Sequence, residues 1–118
     1  MNSREHIRSL LEQAKHVLGI KDSVKLILYP MKYKVASISL KTKTIRLNKN
    51  LIELFTDDEI YYILTHELIH IKLATLNHGE EFYKLLHTLY PPEKLEELEN
   101  RIVKKLVSAN LRSKRWLT

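Results

Sequence analysis

The sequence predicts one α+β domain, in which a small, mostly antiparallel sheet of three strands packs on a central helix flanked by N- and C-terminal helices. A length of 118 residues provides for one modest core. Short alternating apolar runs lie in the first half of the chain, and apolar residues recur at helical spacing elsewhere. A composition of 44% apolar and 29% charged residues is typical of a folded globular protein.

Residues 3 to 18 are predicted to form the first helix, because apolar side chains recur there every three or four residues. Ser3 can cap its amino end, and Gly19 follows its last turn. The segment "SVKLILY" is typical of a strand, which Pro30 ends, and "YKVASISLKTKTIRLN" indicates a hairpin of two further strands. These three strands are expected to form the sheet.

The second helix is predicted to be the buried centre of the domain. Thr56 and Glu59 have the spacing of a capping box at its start. Between Ile60 and Ile71 the only formally charged residue is Glu67. A helix that is apolar on nearly every side is expected to be mostly buried in a folded protein.

Two more helices complete the predicted domain. Residues 77 to 79 indicate a turn, and "EEFYKLLHTLY" predicts a third helix that a pair of prolines ends. Residues 93 to 110 predict an amphipathic last helix, and the final "RSKRWLT" has no periodicity. We therefore expect residues 1 to 118 to be one domain, with residues 92 to 118 as a C-terminal helix and basic tail.

Several classes of protein are disfavoured by composition. The chain has no cysteine, which excludes disulfides, thiolate metal sites and a cysteine nucleophile. No secretory signal is visible, and the longest uncharged run is far too short to span a membrane. These features predict a cytoplasmic protein without a membrane partner.

Charge is distributed unevenly along the chain. Residues 1 to 50 have eleven Lys/Arg against three Asp/Glu, residues 51 to 100 have three against eleven, and residues 101 to 118 have six against none. A basic segment indicates either a solvated surface or an anionic partner such as nucleic acid. A third interpretation is that the basic tail docks on the acidic middle of its own chain.

The central helix contains the most informative motif, "HELIH". His66 and His70 are four residues apart, so both imidazoles project from one face of a helix and can bind one zinc ion. Glu67 can approach a water on that metal without being a ligand. The motif is the HExxH signature of zinc peptidases, and a nearby cation would accommodate a carboxylate in apolar surroundings.

His78 is the predicted third metal ligand. On an unbroken helix it would be out of reach of the ion, but the turn formers Asn77 and Gly79 can fold the chain back. Three histidines and a water would make an open, catalytic type of zinc site. Glu80 and Glu81 are the alternative third ligands. The histidines of the first helix, His6 and His16, are interpreted as surface residues.

The segments "THELIHIKLATLNHGEEFYKLL" and "IRLNKNLIELF…DDEIYYILTHELIH" resemble the minigluzincins, very small zinc peptidases of thermophilic prokaryotes. The resemblance covers roughly residues 24 to 90 and implies a zincin-like minimal domain. It also implies that His78 is the third ligand, since minigluzincins have a histidine there. They are similar to the catalytic domains of membrane gluzincins, but this chain has none of the membrane helices.

The predicted site implies a mechanism, and the resemblance adds the strand that would bind the substrate. Zinc held by His66, His70 and His78 would lower the pKa of its water, and Glu67 would take a proton as that water attacks a peptide carbonyl. The strand near residues 34 to 40 would line the cleft and pair with an extended substrate. The oxyanion-stabilising residue is not assigned by the sequence, and the candidates on the third helix are Tyr83, His87 and Tyr90.

The resemblance also implies latency, because C-terminal segments of minigluzincins hold the enzyme inactive within one chain or by exchange of a helix between two. The segment after about Ala109, with the preceding helix as a further candidate, is therefore expected to cover the cleft. Trp116 is its only tryptophan. Helix exchange would give a homodimer. The alternative is that the last helix packs on its own core while the final residues are not held.

Other features of the sequence favour two alternative classes of function. "HGEEF" is also similar to the SprT-like proteases, which act on DNA-bound proteins, so nucleic acid is kept as an alternative partner. Leu73 and Leu76 stand where metzincins need glycine and histidine, which disfavours that clan. The other alternative is a basic nucleic-acid-binding module, but "KYK" and "KTK" have little aromatic interleaving beyond Tyr33. A metallopeptidase that cleaves peptides or proteins is the favoured prediction.

Overall fold

Helices surround one side of a three-stranded sheet in a computed structural model that describes residues 3–109 and 116–117. In chain order the elements are α1 (Arg4–Leu18), β1 (Lys25–Tyr29), β2 (Ala36–Ser39), β3 (Thr44–Asn48), a 3-10 turn (Ile52–Leu54), α2 (Asp57–Leu73), α3 (Glu80–Leu89) and α4 (Pro92–Ser108). The predicted α+β class and element order are confirmed.

The helix starts and stops follow the signals in the sequence. The Ser3 hydroxyl accepts a hydrogen bond from the His6 amide at 3.1 Å, and Gly19 ends α1 in the left-handed conformation with φ of 68°. At the start of α2, Thr56 and Glu59 form both hydrogen bonds of a capping box. These local contacts fix where the central helix begins.

The sheet is mixed, with strand order β1-β3-β2. The predicted hairpin is present, since β2 pairs with β3 in antiparallel register. However, β1 pairs with β3 in parallel register, which differs from the mostly antiparallel sheet expected from sequence. The chain reverses between β1 and β2 but leaves room for β3 between them, so the middle strand has one neighbour of each direction.

The free edges of the sheet are covered by different parts of the chain. Along β1, guanidinium groups of α1 donate to backbone carbonyls, Arg4 to Leu26 at 2.8 Å and Arg8 to Val24 at 2.8 Å. At the start of β2, the amides of Val35 and Ala36 donate to the carbonyl of Trp116, at 2.8 and 3.2 Å. One edge is closed by side chains, and the other is reached by the C-terminal segment.

The core lies between α1, α2, α4 and the inner face of the sheet. As predicted, α2 is buried along most of its length. The apolar stripe of α4 is buried within the same chain, and its members are Leu95, Leu98, Ile102 and Leu106. Ala109, which follows the end of α4, is exposed. Within the described residues, no helix has the length and apolar character needed to cross a lipid bilayer.

Candidate active site

Helix α2 brings the "HELIH" residues into the centre of the molecule. His66 is half-buried, while Glu67 and His70 are fully buried. The two imidazoles lie one turn apart on the same face, with ring centroids 5.3 Å apart. The helix therefore presents two imidazoles and one carboxylate from consecutive turns.

The chain leaves α2 at Ala74, three residues before the turn expected from Asn77. Ala74 is left-handed with φ of 54°, and its amide donates to the carbonyls of His70 and Ile71. A non-glycine residue seldom adopts this conformation, which explains why the sequence did not signal this turn. The early reversal carries His78 back toward the face of α2 that bears the other two histidines.

The three predicted metal ligands come together. His66, His70 and His78 each offer a ring nitrogen, and these atoms lie within 4.8 Å of one another. The Nε2 atoms of His70 and His78 are 3.0 Å apart. The rings of His66 and His78 have centroids 5.2 Å apart. A cluster of three imidazole nitrogens on two elements is thus preformed.

The tautomer of His70 is set by the backbone that follows α2. Its Nδ1 lies 2.9 Å from the carbonyl oxygen of Thr75, an acceptor, so Nδ1 carries the proton and Nε2 has a lone pair facing the cluster. The Thr75 hydroxyl in turn accepts from the Asn77 amide at 3.1 Å. The short loop therefore orients one predicted ligand, His70, and also carries another, His78.

Phe82 is a site residue that sequence reasoning missed. Its ring is 1% exposed and packs against all three imidazoles, with centroid distances of 4.9 Å to His66, 4.8 Å to His70 and 4.9 Å to His78. It lies in the first turn of α3, four residues after His78, and only this closeness in the sequence signalled that it would be near the predicted third ligand. Phe82 restricts the rotation of the rings and keeps water from one side of the cluster.

The alternative third ligands lie outside this cluster. Glu80 and Glu81 are both exposed on the first turn of α3 and do not join the group formed by the three histidines. The two histidines of α1 are not members of this group either. His6 lies 2.8 Å from a carboxylate oxygen of Asp57, and His16 is exposed.

The three oxyanion candidates have different surroundings. Tyr83 is 46% exposed and its ring stacks on that of His87, with centroids 6.1 Å apart. The ring of Tyr90 packs edge-on against Tyr62, and burial raises the pKa of Tyr90 to about 12. Tyr62 in turn lies edge-on to His66, at 6.2 Å between centroids. Tyr83 is thus on the solvent side of α3, whereas Tyr90 is within a packed aromatic group.

The donor set fits a tetrahedral divalent cation. Two nitrogens bound to zinc at about 2.1 Å with tetrahedral angles are about 3.4 Å apart, and the observed separation of the Nε2 atoms of His70 and His78 is 3.0 Å. His70 is fully buried with its lone pair directed into the cluster. Three neutral nitrogens and no thiolate are typical of a catalytic site with an open position.

Known proteins share this architecture and sequence. A YgjP-like metallopeptidase domain matches residues 2–103. The chain belongs to this family. In sequence it is 37% identical over 105 residues to an uncharacterised protein of Methanocaldococcus jannaschii, MJ0123, covering 89% of this chain and 96% of the relative.

Two crystal structures of metallopeptidase zymogens are similar to the fold of this family member. Abylysin of Pyrococcus abyssi has a TM-score of 0.79 at 37% identity, covering 85% of this chain and 94% of that chain. Jannalysin of Methanocaldococcus jannaschii has a TM-score of 0.80 at 39% identity, covering 85% and 96%. The resemblance to minigluzincins is confirmed, and the chain is a metallopeptidase.

Proposed function

We propose that this chain is a zinc-dependent peptidase whose metal ligands are His66, His70 and His78 and whose general base is Glu67. The observation that supports this assignment most strongly is the cluster of three imidazole nitrogens within 4.8 Å, with a fully buried glutamate one residue after the first of them. When bound, zinc would supply a Lewis acid for the peptide carbonyl and would lower the pKa of a water molecule.

The protein's own groups account for the rest of the reaction. The carboxylate of Glu67 accepts a proton from the attacking water and then delivers it to the nitrogen of the leaving amine. The carbonyl of Thr75 holds the Nδ1 proton of His70, so that Nε2 stays a ligand. The edge strand β2 offers backbone groups to an extended peptide. Tyr83, which is exposed beside Phe82, is the oxyanion candidate that a substrate reaches most easily.

Metal analysis of purified variants tests the ligand set. The wild-type protein is expected to hold one zinc ion per chain, and His66→Ala and His78→Ala are expected to lose most of it. A Glu80→Ala/Glu81→Ala variant is the matched control, since it alters two potential ligands next to His78 and should keep a full zinc complement. Zinc retained by His78→Ala but lost from the glutamate variant would contradict the assignment.

We propose that residues 1 to 118 form one domain that is latent, with residues 92 to 118 as the latency segment. The contacts of the tail and the similarity of the chain to two zymogens support this proposal. The carbonyl of Trp116 accepts hydrogen bonds from Val35 and Ala36, on the strand that would pair with substrate. Trp116 and Leu117 are partly buried against the core. The other residues of the segment predicted to cover the cleft, 110 to 115 and 118, lie outside the described residues.

Truncation of the tail tests this latency. A chain ending at Arg115 removes the segment that contacts β2 and is expected to cleave peptides faster than the full chain. A chain ending at Leu117 keeps that contact and is the matched control. Equal activity in the three proteins, each folded and loaded with zinc, would contradict a covering role for Trp116 and Leu117.

The molecular mass in solution distinguishes a monomer from a dimer with exchanged helices. Burial of the α4 stripe cannot distinguish them, since the stripe would be equally buried in both.

A further inference from the structure

Within residues 3–109 and 116–117, no helix covers the outer face of the sheet. In-register rows place Leu26, Ile45 and Ile38 on the inner face, toward the core. The alternate rows point away from it, and their members are Lys25, Ile27 and Tyr29 from β1, Thr44, Arg46 and Asn48 from β3, and Ser37 and Ser39 from β2. Ile27 is 39% exposed and Tyr29 is 55% exposed. The face therefore presents apolar and aromatic groups to solvent.

The loop between β1 and β2 extends this outer face. Asn48 holds the loop with its whole amide group: Nδ2 donates to the carbonyls of Met31 and Lys34, at 2.8 and 2.7 Å. Its Oδ1 accepts from the amides of Met31 and Asn50, at 3.2 and 3.0 Å. Because all of its hydrogen-bonding capacity is used, this buried side chain fixes the loop that carries Lys32 and Tyr33.

The same part of the chain is strongly basic. Residues 21 to 50 contain eight Lys/Arg and one acidic residue, Asp22. Among those basic residues, Lys43 is the only one with an ion pair in the described part of the chain, and its partner is Asp22. Arg46 is on the middle strand, directly between Ile27 and Ser37. An unneutralised positive field thus surrounds the exposed side chains.

The strand register places more aromatic and apolar side chains in this basic region than the sequence alone indicates. From the segment "KYK" only Tyr33 was apparent, but the pairing of strands adds Tyr29 and Ile27 to the same face as Lys25 and Arg46. Tyr33 is 61% exposed, and Lys32 Nζ lies 5.3 Å from the centre of its ring. Exposed aromatic rings among cations are what single-stranded nucleic acids require, since bases stack on the rings while phosphates meet the charges.

We propose that the outer face of the sheet binds single-stranded nucleic acid, with Tyr29 and Tyr33 stacking on bases and Lys25, Lys32 and Arg46 contacting phosphates. A lipid surface fits less well, because a rigid strand face with one isoleucine lacks the wide apolar side of a membrane-binding helix. The face lies opposite the one that packs on the helices, so bound nucleic acid would leave the peptidase cleft accessible. The peptidase would thereby be held near proteins on the same strand.

Fluorescence anisotropy with a labelled oligothymidylate, measured across salt concentrations, tests the proposal. The wild-type protein is expected to bind, with affinity that falls steeply as salt rises. Lys25→Glu/Lys32→Glu should bind at least about tenfold more weakly and flatten the slope of log K against log salt by about 1.4, since each phosphate contact on a single strand contributes about 0.7. Tyr29→Ala/Tyr33→Ala should weaken binding with little change of slope.

Lys84→Glu/Lys104→Glu is the charge-matched control, because both lysines are exposed on α3 and α4, away from the sheet. Equal weakening in this control would overturn the proposal, as would no binding by the wild-type protein. Binding to anionic phospholipid vesicles but not to the oligonucleotide would show a lipid surface instead and would also overturn it. Unchanged zinc content and peptide cleavage in all variants would show that they are folded. A failure of nucleic-acid binding would then be distinguishable from a failure of the proposed peptidase function.

Discussion

Two buried glutamates on one helix have opposite surroundings. Glu59, in the first turn of α2, is 1% exposed, and its oxygens lie near the Thr56 amide, the Lys105 ammonium and the Arg101 guanidinium. Glu67, two turns further along, is also fully buried but lies next in sequence to His66 in the imidazole cluster. Burial of a carboxylate alone therefore does not distinguish a structural residue from the proposed general base, whereas the neighbouring groups do.

The surroundings of Glu59 explain how α4 is attached to the start of α2. Lys105 and Arg101 are both on α4, and Arg101 also pairs with Asp58 at 3.3 Å. The distance of 3.4 Å from Arg101 Nε to Glu59 is that of an ion pair rather than a well-aligned hydrogen bond. Cations from α4 and the amino end of α2 together neutralise the buried charge.

The largest effect is expected from Glu67→Gln. This change keeps the shape of the side chain but removes its ability to take a proton, so peptide cleavage should fall by about 10²- to 10⁴-fold. Zinc content and the free energy of unfolding should stay close to those of the wild-type protein, because no metal ligand is altered. Cleavage of a fluorogenic peptide, metal analysis and thermal unfolding of the same samples provide the three measurements. Retained activity would remove Glu67 from the mechanism.

Glu59→Gln should give the reverse result. Removing the charge leaves Lys105 and Arg101 facing a neutral group, and the free energy of unfolding should fall by about 2 kcal/mol. We expect less than for a fully buried pair, because both cations are partly exposed. Peptide cleavage measured well below the melting temperature should be unchanged. If Glu59→Gln lost activity without losing stability, the comparison between the two glutamates would fail.

The sequence was sufficient for features that depend on neighbouring residues. Ser3 and Gly19 mark the two ends of the first helix, and Thr56 with Glu59 marks the start of the second, because capping acts within one turn. The spacing of four between His66 and His70 likewise places two imidazoles on one face whatever surrounds the helix. These interactions are local, so they can be predicted without knowledge of the fold.

Features that depend on distant parts of the chain were not predictable in the same way. The parallel pairing of β1 with β3 depends on where the whole chain passes after Pro30, and no short pattern encodes it. The contacts of Phe82 with the three imidazoles, and of the Trp116 carbonyl with β2, join residues far apart in sequence. Ala74 has the left-handed conformation without being glycine, so its turn had no sequence signal.

A third carboxylate, that of Glu99, is less buried than those of Glu59 and Glu67, and its substitution should have the smallest effect of the three. It is half-buried on α4, where it accepts a hydrogen bond from the Tyr62 hydroxyl at 3.3 Å. Burial raises the pKa of Glu99, and the hydroxyl of Tyr62 opposes that shift in part. The folded state therefore holds this proton more tightly than the unfolded state does.

The sign of the pH dependence follows from that difference. As pH rises from about 4.3, the usual pKa of an unfolded glutamate, through the higher pKa of the folded state, ionisation of Glu99 lowers the free energy of unfolding. Glu99→Gln removes this loss, so the variant should exceed the wild-type protein in stability by less than about 1 kcal/mol at neutral pH, with the difference shrinking below pH 4.3. The rest of the chain is identical in the two proteins, so its own pH dependence cancels in paired urea unfolding curves. If the difference in stability between Glu99→Gln and the wild-type protein were the same at every pH, the raised pKa of Glu99 would not be its cause. Glu99 would then act only through its hydrogen bond to Tyr62, unlike Glu59 and Glu67, whose effects depend on their charge.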